Sequence, residues 1–126
     1  YTEEDLFGKS GELQDLYSSF KEQVIQTYPN LTFSPKKNYV GFQLADNWRN
    51  IFNVRGKGKS GLKIDLMRSK PGDFEDLQNK IKYVEKSKEH WGQDISTFDI
   101  DGSKDVRYGM LILQQAYDRF VKEFGN

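Results

Sequence analysis

The feature that most constrains the fold is a change of hydrophobic period in the middle of the chain. Near the start, Leu13, Leu16, Tyr17, Phe20, Val24 and Ile25 recur at the three- and four-residue spacing of one helical face. Ser10 is placed to cap that helix and Pro29-Asn30 to end it. A short earlier turn is expected where Thr2 and Asp5 form a capping box. From Tyr39 the period becomes two. Val40, Phe42 and Leu44 alternate with Tyr39, Gly41 and Gln43; Phe52 and Val54 alternate with Ile51, Asn53 and Arg55; Leu62, Ile64 and Leu66 alternate with Lys63, Asp65 and Met67. Turn signals at Asp46-Asn47 and Gly56–Gly61 separate the runs, which therefore read as antiparallel strands joined by hairpins, preceded by a short strand at Leu31–Phe33.

One face of these strands is apolar and must be covered. The other, with Tyr39, Gln43, Asn53, Arg55, Lys63 and Asp65, reads as solvated. Phe74, Leu77, Ile81 and Val84 predict a further helix, and Ile95–Ile100 a further strand. The last helix carries Val106, Met110, Leu113, Tyr117, Phe120, Val121 and Phe124 on one face, with Asp101 or Ser103 near its cap. The expected fold is α+β: an antiparallel sheet of about four to five strands, with the N-terminal and C-terminal helices packed on one face.

At 126 residues the chain is expected to be a single domain, residues 1–126. Its 14% aromatic content supplies core area that a 36% hydrophobic share would otherwise leave short, which argues against disorder despite 30% charged residues. There is no cysteine, which excludes disulfides, thiolate metal sites and cysteine nucleophiles, and a cytoplasmic setting is expected. No apolar run reaches the roughly 20 residues of a membrane span. The first residue is Tyr1 rather than Met, so a domain excised from a longer protein is expected.

Charge is balanced in total, at 19 basic and 19 acidic residues, but not in distribution. Between Lys36 and Lys70 stand nine basic residues and two acids, Asp46 and Asp65, a surplus of seven that the rest of the chain offsets. The surplus is expected on the hairpin strands and their glycine-rich tip, with the compensating acid on the flanking helices. Lys36, Lys37, Arg55, Lys57, Lys59 and Lys63 are the candidate phosphate contacts, and Tyr39 and Trp48 the candidate stacking platforms. A solvated cationic edge that deters aggregation is the competing structural explanation.

The tip spells G-x-G-x-x-G from Gly56 to Gly61. A dinucleotide fold needs that loop to open a helix, whereas Leu62–Met67 follows with strand alternation. A kinase would need H-R-D and D-F-G motifs that the chain lacks, and Asn53 stands where a P-loop needs its first glycine. The spelling therefore reads as a flexible hairpin tip. His90, Trp91 and Asp94 form a second candidate site, a pocket in which Asp94 orients the imidazole. The competing role for Trp91 is a hydrophobic plug before a turn at Gly92. A restriction-type nuclease site wants an acid followed by acid-x-Lys, and Lys63-Ile64-Asp65 reverses that order. No metal, cofactor or catalytic residue is assigned.

The helix ELQDLYSSF, the segments PKKNYVGFQL and NIFNVRGKGKSGLKIDL, the HWGQD turn and the final MLILQQAYDRF helix occur in an order that resembles a family. That family is a small bacterial and archaeal domain of unknown function, found at the C-terminus of proteins labelled "predicted transport protein" and of nuclease-like restriction proteins. The HWG turn followed by the QQAY helix is the most specific part of the likeness. Gly92-Gln93-Asp94 shortens the family's usual G-N-G-D, and Phe74-Glu75-Asp76 stands where the family has Asp-Pro. The resemblance implies a non-catalytic accessory module and carries over no catalytic residue. Charge and resemblance together give the expected function: contact with nucleic acid or another polyanion, in a restriction-linked protein. A protein-interaction or oligomerisation module, with an acidic partner or a second copy, is the alternative.

Overall fold

The computed structural model describes residues 1–125. Two helices open the chain, α1 (Glu3–Phe7) and α2 (Glu12–Thr27). Four strands follow in a meander: β1 (Leu31–Pro35), β2 (Val40–Leu44), β3 (Asn50–Lys57) and β4 (Gly61–Met67). A 3-10 turn at Pro71–Asp73, a two-residue strand β5 (Lys82–Tyr83) and a one-turn helix α3 (Ser87–Trp91) lead to β6 (Ile95–Ile100). A second 3-10 turn, Ser103–Asp105, leads into α4 (Val106–Phe124). All six strands form one antiparallel sheet in the order β1-β2-β3-β4-β6-β5. The α+β class and the antiparallel sheet agree with the expectation; the extra strand is the short β5.

The inward face of the sheet explains the alternation. Val40, Phe42, Phe52, Val54, Leu62, Ile64, Leu66, Phe98 and Ile100 are all within 2% of complete burial. They meet Leu16, Tyr17, Phe20 and Val24 of α2 and Ile112, Leu113, Ala116 and Phe120 of α4 in one core cluster. Burying each large apolar side chain contributes about 1.5–3 kcal/mol, which is why these two long helices are held to that face. Among the described residues no helix is laid along the opposite face, which stays accessible as an open cleft.

Local expectations fare unevenly. The Thr2 capping box forms, with Thr2 Oγ1 accepting from Asp5 N and Asp5 Oδ2 from Thr2 N. Ser10 does not cap α2; Gly11 occupies the cap position, without a side-chain bond. Asp105 rather than Asp101 or Ser103 stands at the cap of α4, and its Oδ2 accepts from Asp101 N. The helix expected over Phe74–Val84 is absent. Asp76 is the physical reason: its carboxylate accepts from the backbone N–H groups of Lys80 and Ile81 and from the Tyr108 hydroxyl, fixing a tight loop instead. Phe74 and Ile81 are buried by that loop while Leu77 is 98% exposed, so these residues share no face.

Ile51 also departs from simple alternation. Phe42 pairs with Phe52 but Gln43 pairs with Asn50, so β3 carries one extra residue at this point. The bulge turns Ile51 into the core, 3% exposed, next to Phe52. It also leaves Asn50 and Asn53 together on the outer face.

Candidate functional site

The outer face of the sheet forms an open cleft of about 780 Å3. Its floor comes from β2, β3 and β4, and includes Gln43, Asn50, Asn53, Arg55, Asp65 and Met67. Lys36, Asn38 and Tyr39 line it from the β1–β2 connection, Trp48 and Arg49 from the β2–β3 connection, and Trp91, Gln93 and Val84 from the segment around α3. Four cations and one carboxylate, Asp65, are among the lining residues.

A row of amides runs along the floor. Gln43 Nε2 donates to Asn50 Oδ1 at 2.7 Å and to the Trp48 carbonyl at 3.2 Å, and Asn50 Nδ2 donates to Asn53 Oδ1 at 2.8 Å. The row ends weakly, since Asn53 Nδ2 reaches the Met67 thioether at 3.8 Å. A thioether is a poor acceptor, so this amide keeps donor capacity toward the cleft. The bulge puts these side chains on one face, and Gly41 makes room for them. A Cβ on Gly41 would stand 2.6 Å from Asn50 Nδ2.

Trp48 and Trp91 are 79% and 59% exposed. Large aromatics are usually buried, so two exposed on one cleft call for a reason beyond packing. Trp48 is held rather than loose. The Arg49 guanidinium lies 4.6 Å from its ring centroid and 4.3 Å from that of Phe124. Arg68 connects the two tryptophan-bearing segments. Its guanidinium donates to the Asn50 carbonyl, its backbone N–H donates to Gln93 Oε1 at 3.0 Å, and its carbonyl accepts from Arg119 at 3.3 Å. The Arg68 backbone is left-handed, φ 52°, a conformation that costs a non-glycine residue energy and that these bonds maintain. Burial lowers the pKa of its guanidinium, and the nearby Arg49 charge acts in the same direction.

The hairpin tip is different. Lys57 Nζ stands 2.8 Å from Asp99 and 3.0 Å from Asp101, Lys63 Nζ is 2.7 Å from Asp99, and Arg55 pairs with Asp65 at 2.9 Å. The β4–β6 register sets Asp99 directly opposite Lys63. Hydrogen bonds from Lys57 to Asp99 and Asp101 push the Lys57 pKa up to about 12. The acid that compensates these lysines therefore comes from β6 and the residue after it, not from the flanking helices. Among the described residues Lys36, Lys37, Arg49 and Lys59 have no carboxylate within 4 Å.

The structure thus divides the expected contacts. Lys36, Tyr39, Trp48 and Arg55 line the cleft, with Lys37 exposed on the same connection. Lys57, Lys59 and Lys63 are not among its lining residues. Of the His90, Trp91 and Asp94 set, Trp91 alone lines it. Asp94 accepts from the Tyr83 hydroxyl at 2.7 Å and lies 4.0 Å from Lys70, rather than orienting His90. His90 meets the edge of Trp91 at 5.5 Å. Trp91 is not a buried plug. Asn50, Arg49 and Arg68 were missed by sequence reasoning; the bulge that exposes Asn50 leaves no mark in the alternation.

No helix among the described residues is long and apolar enough to cross a membrane. No family model matches the chain, and no solved structure matches it. The chain is 30% identical over 117 residues to a Haemophilus influenzae protein described as an uncharacterized protein. The matched region is 92% of this chain and 37% of that protein, so the chain spans little more than a third of its relative's length.

Proposed function

We propose that this chain is a non-catalytic accessory module that contacts nucleic acid or another polyanion through the outer face of its hairpin sheet. One observation carries the reading: an open cleft with Tyr39, Trp48 and Trp91 on its margins, four cations around it and one carboxylate in it. Stacking faces and phosphate-attracting charge are the two elements that nucleic-acid surfaces combine. The weight of phosphate contact falls on Lys36, Lys37 and Arg49, because Lys57 and Lys63 are held by Asp99 and Lys59 stands outside the cleft lining. The likeness of the HWG and QQAY segments to restriction-linked proteins supports a role beside a nuclease or similar partner domain.

A fluorescence anisotropy titration with DNA and RNA at low salt tests the reading. Contact through these three cations predicts a log–log salt slope of about −2 to −3. Absence of binding at low salt to DNA, to RNA and to heparin, added as a polyanion that is not a nucleic acid, overturns it.

Exposed Leu77 and Leu111 favour the alternative of a protein-interaction module. Gln115 donates to the carbonyls of both Glu75 and Leu111, which places the Leu77 loop beside α4. Sedimentation over a range of concentrations tests self-association through this surface; an invariant monomer mass counts against it.

A further inference from the structure

We propose that the cleft takes a single strand of nucleic acid, with bases stacked on Trp48 and Trp91 and a base edge met by the amide row. The inference rests on the polyanion reading above and narrows it to one ligand class. The tryptophans are exposed yet braced, Trp48 by Arg49 and both of their segments by Arg68. Aromatic faces exposed on a concave surface suit unstacked bases, which a duplex does not offer. A duplex is read by a protruding helix or ribbon that enters a groove, whereas the floor here is recessed and made of short amides. The charge agrees. The strand-borne lysines that would have widened the positive surface are neutralised by Asp99 and Asp101, leaving enough cation for a short backbone track. Asn53 Nδ2, which among the described residues has only a thioether to bond, supplies a donor for a base acceptor.

Both tryptophans of the chain line this cleft, so intrinsic fluorescence reports on the site directly. The experiment titrates the protein with a short single-stranded DNA, its blunt duplex and heparin. The expected result is quenching by the single strand, with affinity about ten-fold or more above that of the duplex. Trp48→Ala and Trp91→Ala should each weaken single-strand binding by about ten-fold, with thermal unfolding unchanged, and Trp48→Phe should restore part of the loss. For the variants, binding is followed by the anisotropy of a labelled strand. Equal affinity for duplex or heparin, or single-strand binding indifferent to both alanine variants, overturns this proposal and leaves the polyanion reading standing. Failure of all three ligands to bind overturns both.

Discussion

The two ends of the β3–β4 hairpin are built from the same strands and face opposite fates. At the tip, Lys57 and Lys63 meet Asp99 and Asp101, so a run rich in cations is largely neutralised, with Lys59 left over, where a positive surplus was expected. At the other end, Trp48, Asn50 and Arg68 surround a cleft whose tryptophans remain exposed. Charge counted along the chain does not predict charge on the surface. Strand register decides it, because β6 lies against β4 and brings its carboxylates with it. An aromatic at the mouth of a cleft has no such partner to cancel it.

Both ends of the hairpin share one platform, and damage to that platform should cost the most. Ile64 is completely buried in the middle of β4. Ile64→Ala should lower stability by about 2–5 kcal/mol, read as a shift of the urea midpoint. Both ends should be lost together in one cooperative transition. Separate transitions, one at the tip and one at the tryptophans, would show that the two ends do not share one platform.

What was legible in the sequence follows the range of the interactions. Helices α2 and α4 announce themselves because their apolar spacing is local, and the hairpin strands because alternation is local too. The Phe74–Val84 segment had helical spacing, but the Asp76 side chain captures the N–H groups of Lys80 and Ile81, and spacing alone cannot register that competition. The bulge that buries Ile51 and assembles Gln43, Asn50 and Asn53 depends on pairing with β2. The neutralisation of the tip depends on a strand more than thirty residues away in the chain. Tyr39, Trp48 and Lys36 were legible as cleft residues because side-chain type drew attention to them; Arg68 was not, since its role rests on bonds to two distant segments.

A smaller effect is expected from the glycines of the tip. Gly58 has φ 62° and open space on the side where a Cβ would stand, so its constraint is backbone conformation rather than room. Gly58→Ala should cost about 1–2 kcal/mol in chemical denaturation, with nucleic-acid affinity unchanged. A loss of affinity would show that the tip's backbone approaches the ligand, and would restore the motif to importance.

Asp99→Asn sharpens the contrast by undoing the neutralisation. Partly exposed ion pairs are worth up to about 1 kcal/mol, so stability should fall by no more than that near neutral pH. Burial raises the Asp99 pKa, but hydrogen bonds and charge from Lys57 and Lys63 outweigh it and hold the carboxyl below its ordinary value. A carboxyl depressed in the folded state contributes fully above its unfolded pKa of about 3.9, and the contribution disappears as pH falls through the folded value. The stability difference between the native protein and Asp99→Asn should therefore shrink below about pH 4. Asp76 and Asp105 are depressed as well, so the variant still loses stability in acid. Released from Asp99, Lys63 should raise DNA affinity and steepen its salt dependence, whereas Lys57 keeps Asp101.

Lys59 should give the smallest change. It sits at the exposed tip with no carboxylate within 4 Å among the described residues. Lys59→Ala should alter stability by less than about 0.5 kcal/mol. Its effect on binding separates the two ends cleanly, because Lys59 is the tip cation that no ion pair restrains. If phosphates are met at the cleft, the salt slope measured for Lys59→Ala should match that of the native protein, while Lys36→Ala should reduce it by about 0.7–0.9. The reverse pattern would move the contact to the tip and leave the exposed tryptophans without a role in it.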